Sequence, residues 1–280
     1  MITEKQRKME ILLGLTSRTQ RSMAPPMKYP GSKYNSLPEI LPELPYTSMY
    51  VEVFGGAATV LLNRAPVNFE VYNDRFSGIV AFFRAVRDYP FELIARVELM
   101  LHSREEWERC RATWHQPNIG VVERAARWYY MTRYSVLGRG DSWARIRKPG
   151  LPIASSMKKR LDLLQRIADR FEKVQIENLD WREILNDYDH PQAVFYLDPP
   201  YLNSNRAGYK QSMTVKDHKE MIKQISEMKA YVVLSGYEND IYNVDFWDRK
   251  KTWARKDNAS VILGEGMGTQ YEVLWIKEAR

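Results

Sequence analysis

Residues 193–201 read Ala-Val-Phe-Tyr-Leu-Asp-Pro-Pro-Tyr. The five apolar or aromatic residues predict a buried strand, which runs straight into two prolines that preset φ and remove two backbone donors. Asp198 and the carbonyl of Pro199 therefore stand at the strand end as acceptors with little internal competition. Outward from this strand the chain keeps a βα rhythm. Residues 49–54 (MYVEVF) form a β-rich run closed by Gly55 and Gly56, and helix-tolerant residues continue over 57–63. Residues 68–72 predict a second strand ending at Asn73 and Asp74, and 79–86 supply an apolar helical face. Short strands return at 174–176, 231–234 and 271–276. Thr214 with Asp217 makes a capping-box-like start for a helix carrying Met221, Ile222, Ile225 and Met228 on one face. Strands alternating with helices predict an α/β fold, a parallel-dominated sheet covered on both faces.

One stretch breaks the rhythm. Residues 91–135 show helical periodicity alone, through Leu93, Ile94, Val97 and Leu101 and then Ala125, Trp128, Tyr129 and Thr132. Gly138, Gly140, Pro149, Gly150 and Pro152 mark a loop or hairpin, after which Leu161, Leu164, Ile167, Ala168 and Phe171 form another amphipathic helix. The chain thus divides into an N-terminal extension (1–24), a sheet-forming unit in two pieces (25–88 and 173–280) and a helical insertion (89–172).

The 280 residues carry 42 Lys and Arg against 35 Asp and Glu, a net charge of +7. Between Arg124 and Arg166 eleven bases face two acids, so this stretch is +9 and the remainder −2. Bases interleaved with Trp128, Tyr129, Tyr130, Tyr134 and Trp143 are the composition expected of a nucleic-acid footprint. The lone Cys110 excludes a disulfide framework and a multi-thiolate zinc site, and His102, His115, His190 and His218 lack ligand spacing, so no metal is expected. No apolar stretch approaches the roughly 20 residues of a bilayer span, and the start MITEKQRKME lacks the apolar core of a secretory signal. A cytosolic, reducing compartment is the expectation.

Two places carry chemistry. Val51-Glu52-Val53-Phe54-Gly55-Gly56-Ala57-Ala58 puts glycines between a strand and an expected helix, where a ligand can approach the backbone at the carboxyl edge of the sheet. Asp74 follows Gly55 by 19 residues, the spacing at which an acid meets ribose hydroxyls. The glycine pattern is not that of a dinucleotide site. An adenosine-containing cofactor without a pyrophosphate fits it better. At the second place an exocyclic amine such as adenine N6 can donate to Asp198 and to the Pro199 carbonyl, which localises its lone pair on nitrogen, while Tyr201 can stack on the base. Ser235-Gly236-Tyr237, after a strand, is a softer candidate for the pocket rim, and Gly264-Glu265-Gly266-Met267-Gly268 reads as a hairpin near the site.

Asp-Pro-Pro-Tyr at a strand end, Phe-Gly-Gly after an earlier strand and a basic segment between them resemble the Dam-type, D12 class DNA adenine-N6 methyltransferases. Lys28-Tyr29-Pro30-Gly31-Ser32-Lys33 is similar to the amino-terminal motif of that family. The likeness covers roughly residues 25–277 and implies a Rossmann-like AdoMet-dependent methyltransferase sheet with the insertion as a helical target-recognition domain. It implies S-adenosylmethionine (AdoMet) as cofactor, Tyr29 and Lys33 at its methionine end, Phe54, Gly55 and Gly56 lining it, and Asp74 on its ribose. Asp198 then binds the substrate amine and borders the cofactor, and Pro199, Pro200 and Tyr201 complete the base pocket. The resemblance further implies that the base is flipped out of duplex DNA and that the methyl transfers directly, with no covalent enzyme intermediate.

The chain departs from the family where a target would be named: it has Met131-Thr132-Arg133-Tyr134-Ser135-Val136-Leu137-Gly138-Arg139 in place of an N-R-x-G-F-N-G-like run. Arg133, Arg139, Arg145, Arg147 and Lys148 are the expected DNA contacts, with Arg139, Arg145 and Arg147 as candidate guanine readers. Duplex DNA is the expected partner, with a cognate restriction endonuclease acting on the same site if the enzyme is the modification half of a restriction system. No membrane partner is expected, and the chain is expected to be a monomer or weak dimer in the cytoplasm of a prokaryotic or phage-infected cell. RNA or protein-amide N-methylation is the runner-up, and a non-catalytic DNA-binding protein on a methylase fold the alternative of a different class.

Overall fold

A computed structural model describes residues 22–27, 29–145, 153–202, 213–256 and 269–280. Its centre is a seven-stranded sheet in the order β3-β2-β1-β4-β5-β7-β6. The strands are β1 Met49–Glu52, β2 Phe69–Asn73, β3 Val174–Glu177, β4 Ala193–Leu197, β5 Tyr231–Tyr237, β6 Arg249–Lys256 and β7 Thr269–Lys277. β3, β2, β1, β4 and β5 pair in parallel, and β7 runs antiparallel to both β5 and β6. The expected α/β sheet is therefore present, with its order reversing between β1 and β4. Such a reversal opens a crevice at the strand carboxyl ends.

Because side chains alternate along a strand, neighbouring residues in register enter different cores. Tyr50, Tyr72, Val194 and Tyr196 face the helices α2 (Ser77–Asp88), α3 (Pro90–Glu98), α4 (Arg104–Thr113), α5 (Val121–Arg133) and α6 (Ile153–Phe171). Val51, Val71, Phe195 and Val232 face α7 (Trp181–Asp187) and α8 (Val215–Glu227) through Trp181, Ile184, Met221 and Ile225. Thr214 caps α8 as expected: its hydroxyl accepts from Asp217 N–H while the Asp217 carboxylate accepts from Thr214 N–H. A short α1 (Leu37–Ile40) lies among 3₁₀ turns ahead of β1. No helix among the described residues is long and apolar enough to cross a membrane.

Three expectations need correction. Residues 57–63 form a string of turns in place of a helix, because Gly56 and Ala58 take left-handed φ values of 47° and 54° that break a helical ladder. β6 carried no strand signal, since five of its eight residues are Lys or Arg; it is an edge strand whose charges pair with Glu39, Glu43 and Glu238. Three aromatics of the basic segment belong to the core instead of a nucleic-acid surface. Trp128, Tyr129 and Tyr130 are all buried where α5 packs on α2, α3 and α4, with Tyr129 stacked on Phe82 at 5.0 Å. Tyr134 and Trp143 are half-buried around His102, which meets their rings at 4.5 and 4.9 Å. The hairpin expected after α5 is present in its first part, closed by a bridge between Ser135 and Trp143.

Candidate active site

β4 ends at Leu197 and delivers Asp198 to the crevice where the order reverses between β1 and β4. Oδ2 of Asp198 lies 2.6 Å from Nζ of Lys33, which is 4% exposed and also donates to the Gly31 carbonyl at 3.1 Å. Oδ1 of Asp198 accepts from the Ser235 hydroxyl at 2.8 Å, and Ser235 in turn accepts from Tyr196 at 3.2 Å. Ser235 was a rim candidate after a strand; it is instead inside β5, fully buried, and orients the carboxylate. The Lys33 ammonium is 4.9 Å from the ring centroid of Tyr201, whose ring meets Tyr237 edge-on at 4.5 Å.

The β1 and β2 ends build the other half of the site. Gly55 N–H donates to the Asn73 carbonyl at 2.7 Å, and the Tyr72 hydroxyl donates to the Gly56 carbonyl at 2.7 Å. Asp74 accepts from Gly56 N–H at 2.9 Å on one oxygen and from Phe76 N–H at 2.7 Å on the other. Burial pushes its carboxyl up to about 6, against the lowering effect of those two bonds. Gly55 is glycine for a reason the sequence does not show: a methyl group placed there would overlap the Tyr72 ring. The acid thus shapes the glycine turn before it meets any ligand.

One cleft, whose empty space including its open mouth is about 1270 Å³, joins these parts. Of the expected cofactor and catalytic residues, Tyr29, Lys33, Phe54, Gly55, Gly56, Asp74, Asp198 and Pro200 line it, whereas Pro199 and Tyr201 do not. Pro199 is buried, and Tyr201 packs behind Asp198 against Tyr237 and Lys33. Arg139 reaches the cleft wall with Gly138, Thr132 and Met131, while Arg133 and Arg145 stay off it. Arg147, Lys148 and the Gly264–Gly268 candidate hairpin lie outside the described residues, as does most of the N-terminal extension.

Sequence reading missed Glu52, Phe76, Leu179 and Trp181, which also line the cleft. Glu52 is fully buried, and burial pushes it up to about 8 despite bonds from Tyr50 and from Leu61 N–H. An acid inside an otherwise apolar strand (MYVEVF) was the available signal. Leu179 and Trp181 had none, since only the parallel pairing of β3 with β2 brings them to the cleft. Cys110 is buried beside Trp107, and burial pushes its thiol up to about 12, the opposite of an activated nucleophile.

A family model described as D12 class N6 adenine-specific DNA methyltransferase matches residues 29–257. A protein of Lactococcus lactis subsp. lactis named Modification methylase LlaI is 26% identical over 196 residues, 66% of this chain. The chain spans only 30% of the length of that relative.

Proposed function

The chain belongs to the D12 class N6 adenine-specific DNA methyltransferases, and from this premise we propose that it methylates the N6 amine of an adenine flipped out of duplex DNA, with AdoMet as the methyl donor. The observation that carries the reading is the meeting of Asp198, Lys33 and the Gly55–Asp74 turn in one cleft. When bound, AdoMet supplies an electrophilic methyl group.

The donor set fits that cofactor. Phe54, Phe76, Leu179 and Trp181 offer apolar walls for an adenine ring beside Asp74. Each Asp74 oxygen carries one backbone hydrogen bond and keeps a second acceptor site for a ribose hydroxyl. Tyr29 and Lys33 stand across the glycine turn for the methionine end.

At the reacting end, Asp198 accepts an N–H of the target amine, so the nitrogen lone pair points outward instead of into the ring. Ser235 and Lys33 hold the carboxylate in one orientation and stabilise its negative charge, which is electrostatic preorganisation. Tyr201 supports this group from behind. Target recognition falls to the 89–172 insertion, with Arg139, which lines the cleft, and Arg133, Arg145, Arg147 and Lys148 as the proposed contacts to phosphates or base edges. The name of the Lactococcus relative supports a role as the modification half of a restriction system, and its bacterial source supports a prokaryotic cytoplasm.

Asp198→Ala is expected to abolish transfer of tritiated methyl from AdoMet to duplex DNA while leaving AdoMet binding at least partly intact. Full activity of this variant would overturn the assignment. Competing duplex DNA against structured RNA and protein in the same assay identifies the substrate class.

A further inference from the structure

A buried polar circuit joins the last insertion helix to the glycine turn. Arg170, next to last in α6, donates to both oxygens of Glu70 at 2.5 and 2.8 Å and, through Nη2, to the Leu61 carbonyl at 2.9 Å. Leu61 N–H donates to Oε2 of Glu52 at 2.8 Å, and the same oxygen accepts from the Tyr50 hydroxyl at 2.8 Å. Arg64 closes the circuit, 4.0 Å from the Tyr50 ring centroid and 3.8 Å from Glu70. A single residue is therefore gripped at its carbonyl by the insertion and anchored at its N–H by a cleft-lining acid.

This matters because residues 57–63 have no regular ladder of their own and are linked by turn bonds such as Leu62 N–H to the Ala58 carbonyl and Arg64 N–H to the Val60 carbonyl. Phe54, Gly55 and Gly56 lead into this run; Asn73, Tyr72 and Asp74 hold its near end directly, and the bonds at Leu61 fix its far end. We propose that Arg170 is a positioning residue for the cofactor turn, acting through the Leu61 carbonyl. The proposal rests on reading this cleft as the AdoMet site. Arginine suits the position because a guanidinium fork can serve a carboxylate and a carbonyl together, whereas a lysine ammonium is a point donor that cannot span both.

Arg170→Lys keeps a cation beside Glu70 and removes the fork, and Tyr50→Phe loosens Glu52 from the other side with almost no change in shape. Calorimetry with AdoMet is expected to show affinity reduced about tenfold in Arg170→Lys and by a smaller factor in Tyr50→Phe, since small misplacements carry large costs at such sites. The KM for AdoMet should rise while kcat at saturating AdoMet stays near that of the parent. Hydrogen exchange should quicken in residues 54–62 and remain unchanged in β4, which separates local positioning from general destabilisation. Parent-like AdoMet affinity and exchange in both folded variants would overturn the proposal. If the unmodified protein itself fails to bind AdoMet, the cofactor reading fails first, a different result. Should Arg170→Lys not fold, Tyr50→Phe alone decides: unchanged affinity and unchanged exchange in 54–62 count against it.

Discussion

Lys33 and Asp198, 165 positions apart in the chain, form an ion pair of 2.6 Å at the floor of the cleft, with the lysine 4% exposed and the aspartate 16%. Ser235 takes the other oxygen, so each carboxylate oxygen carries one donor and keeps one acceptor site.

Lys33→Met leaves Asp198 in a partly desolvated site without its cation. Breaking a buried pair from one side costs about 3–5 kcal/mol, and the partial exposure of Asp198 places the expected loss at or below the low end of that range. Separately from that stability cost, methyl transfer should drop by about a hundredfold, as when one preorganised electrostatic group is removed, with duplex binding by filter retention largely preserved. Parent-like turnover would show that Lys33 is a bystander to the carboxylate.

Burial of Glu52 should make the stability of the protein fall as pH rises. Burial raises its carboxyl from the ordinary 4.5 to about 8, so its contribution is fully present below pH 4.5 and is lost as pH rises toward 8. Across that window the loss approaches about 1.4 kcal/mol per pH unit. Thermal unfolding at a series of pH values from about 5 to about 8.5 should show a decline in the parent that is flattened in Glu52→Gln, which cannot ionise. Equal slopes in the two proteins would remove Glu52 as the cause.

Asp74 should make cofactor affinity and stability move in opposite directions. Its carboxyl, raised from 3.8 to about 6, is ionised at neutral pH and accepts from Gly56 and Phe76; on the proposed function it would then also accept from sugar hydroxyls. AdoMet binding followed by calorimetry is expected to be level above about pH 7 and to weaken as pH falls through about 6. The stability term has the reverse sense, present below pH 3.8 and lost as pH rises through 6. Asp74→Asn should bind AdoMet more weakly and without this pH profile.

Arg139 and Arg145 should separate in function although both belong to the basic stretch. Arg145 is exposed and off the cleft, so Arg145→Gln should weaken duplex binding evenly across sequences and reduce the salt slope by about one. Arg139 lines the cleft, so Arg139→Gln should also lower methyl transfer at saturating DNA. Identical phenotypes would argue that both act only through phosphates.

Six of the seven strands and the Thr214 cap of α8 were legible because apolar runs, turn residues and capping pairs are local properties of a chain. The motifs at Phe54-Gly55-Gly56 and Asp198-Pro199-Pro200-Tyr201 were legible for the same reason, down to the strand that presents each. β6 escaped because an edge strand keeps its charges in solvent and needs no apolar pattern. The aromatic residues of α5 were misplaced because composition does not say which neighbours a helix will have: three consecutive large rings can all be buried only when helices close on several sides. By itself the sequence determined the α/β class, the order of its motifs and the family. Only the tertiary structure decided that Lys33 neutralises Asp198, that Tyr72 dictates Gly55, and that Arg170 reaches Leu61 from 109 positions away. Those pairings arise from strand order and helix packing, which bring distant residues into a desolvated space where a hydrogen bond or a steric overlap outweighs any local preference.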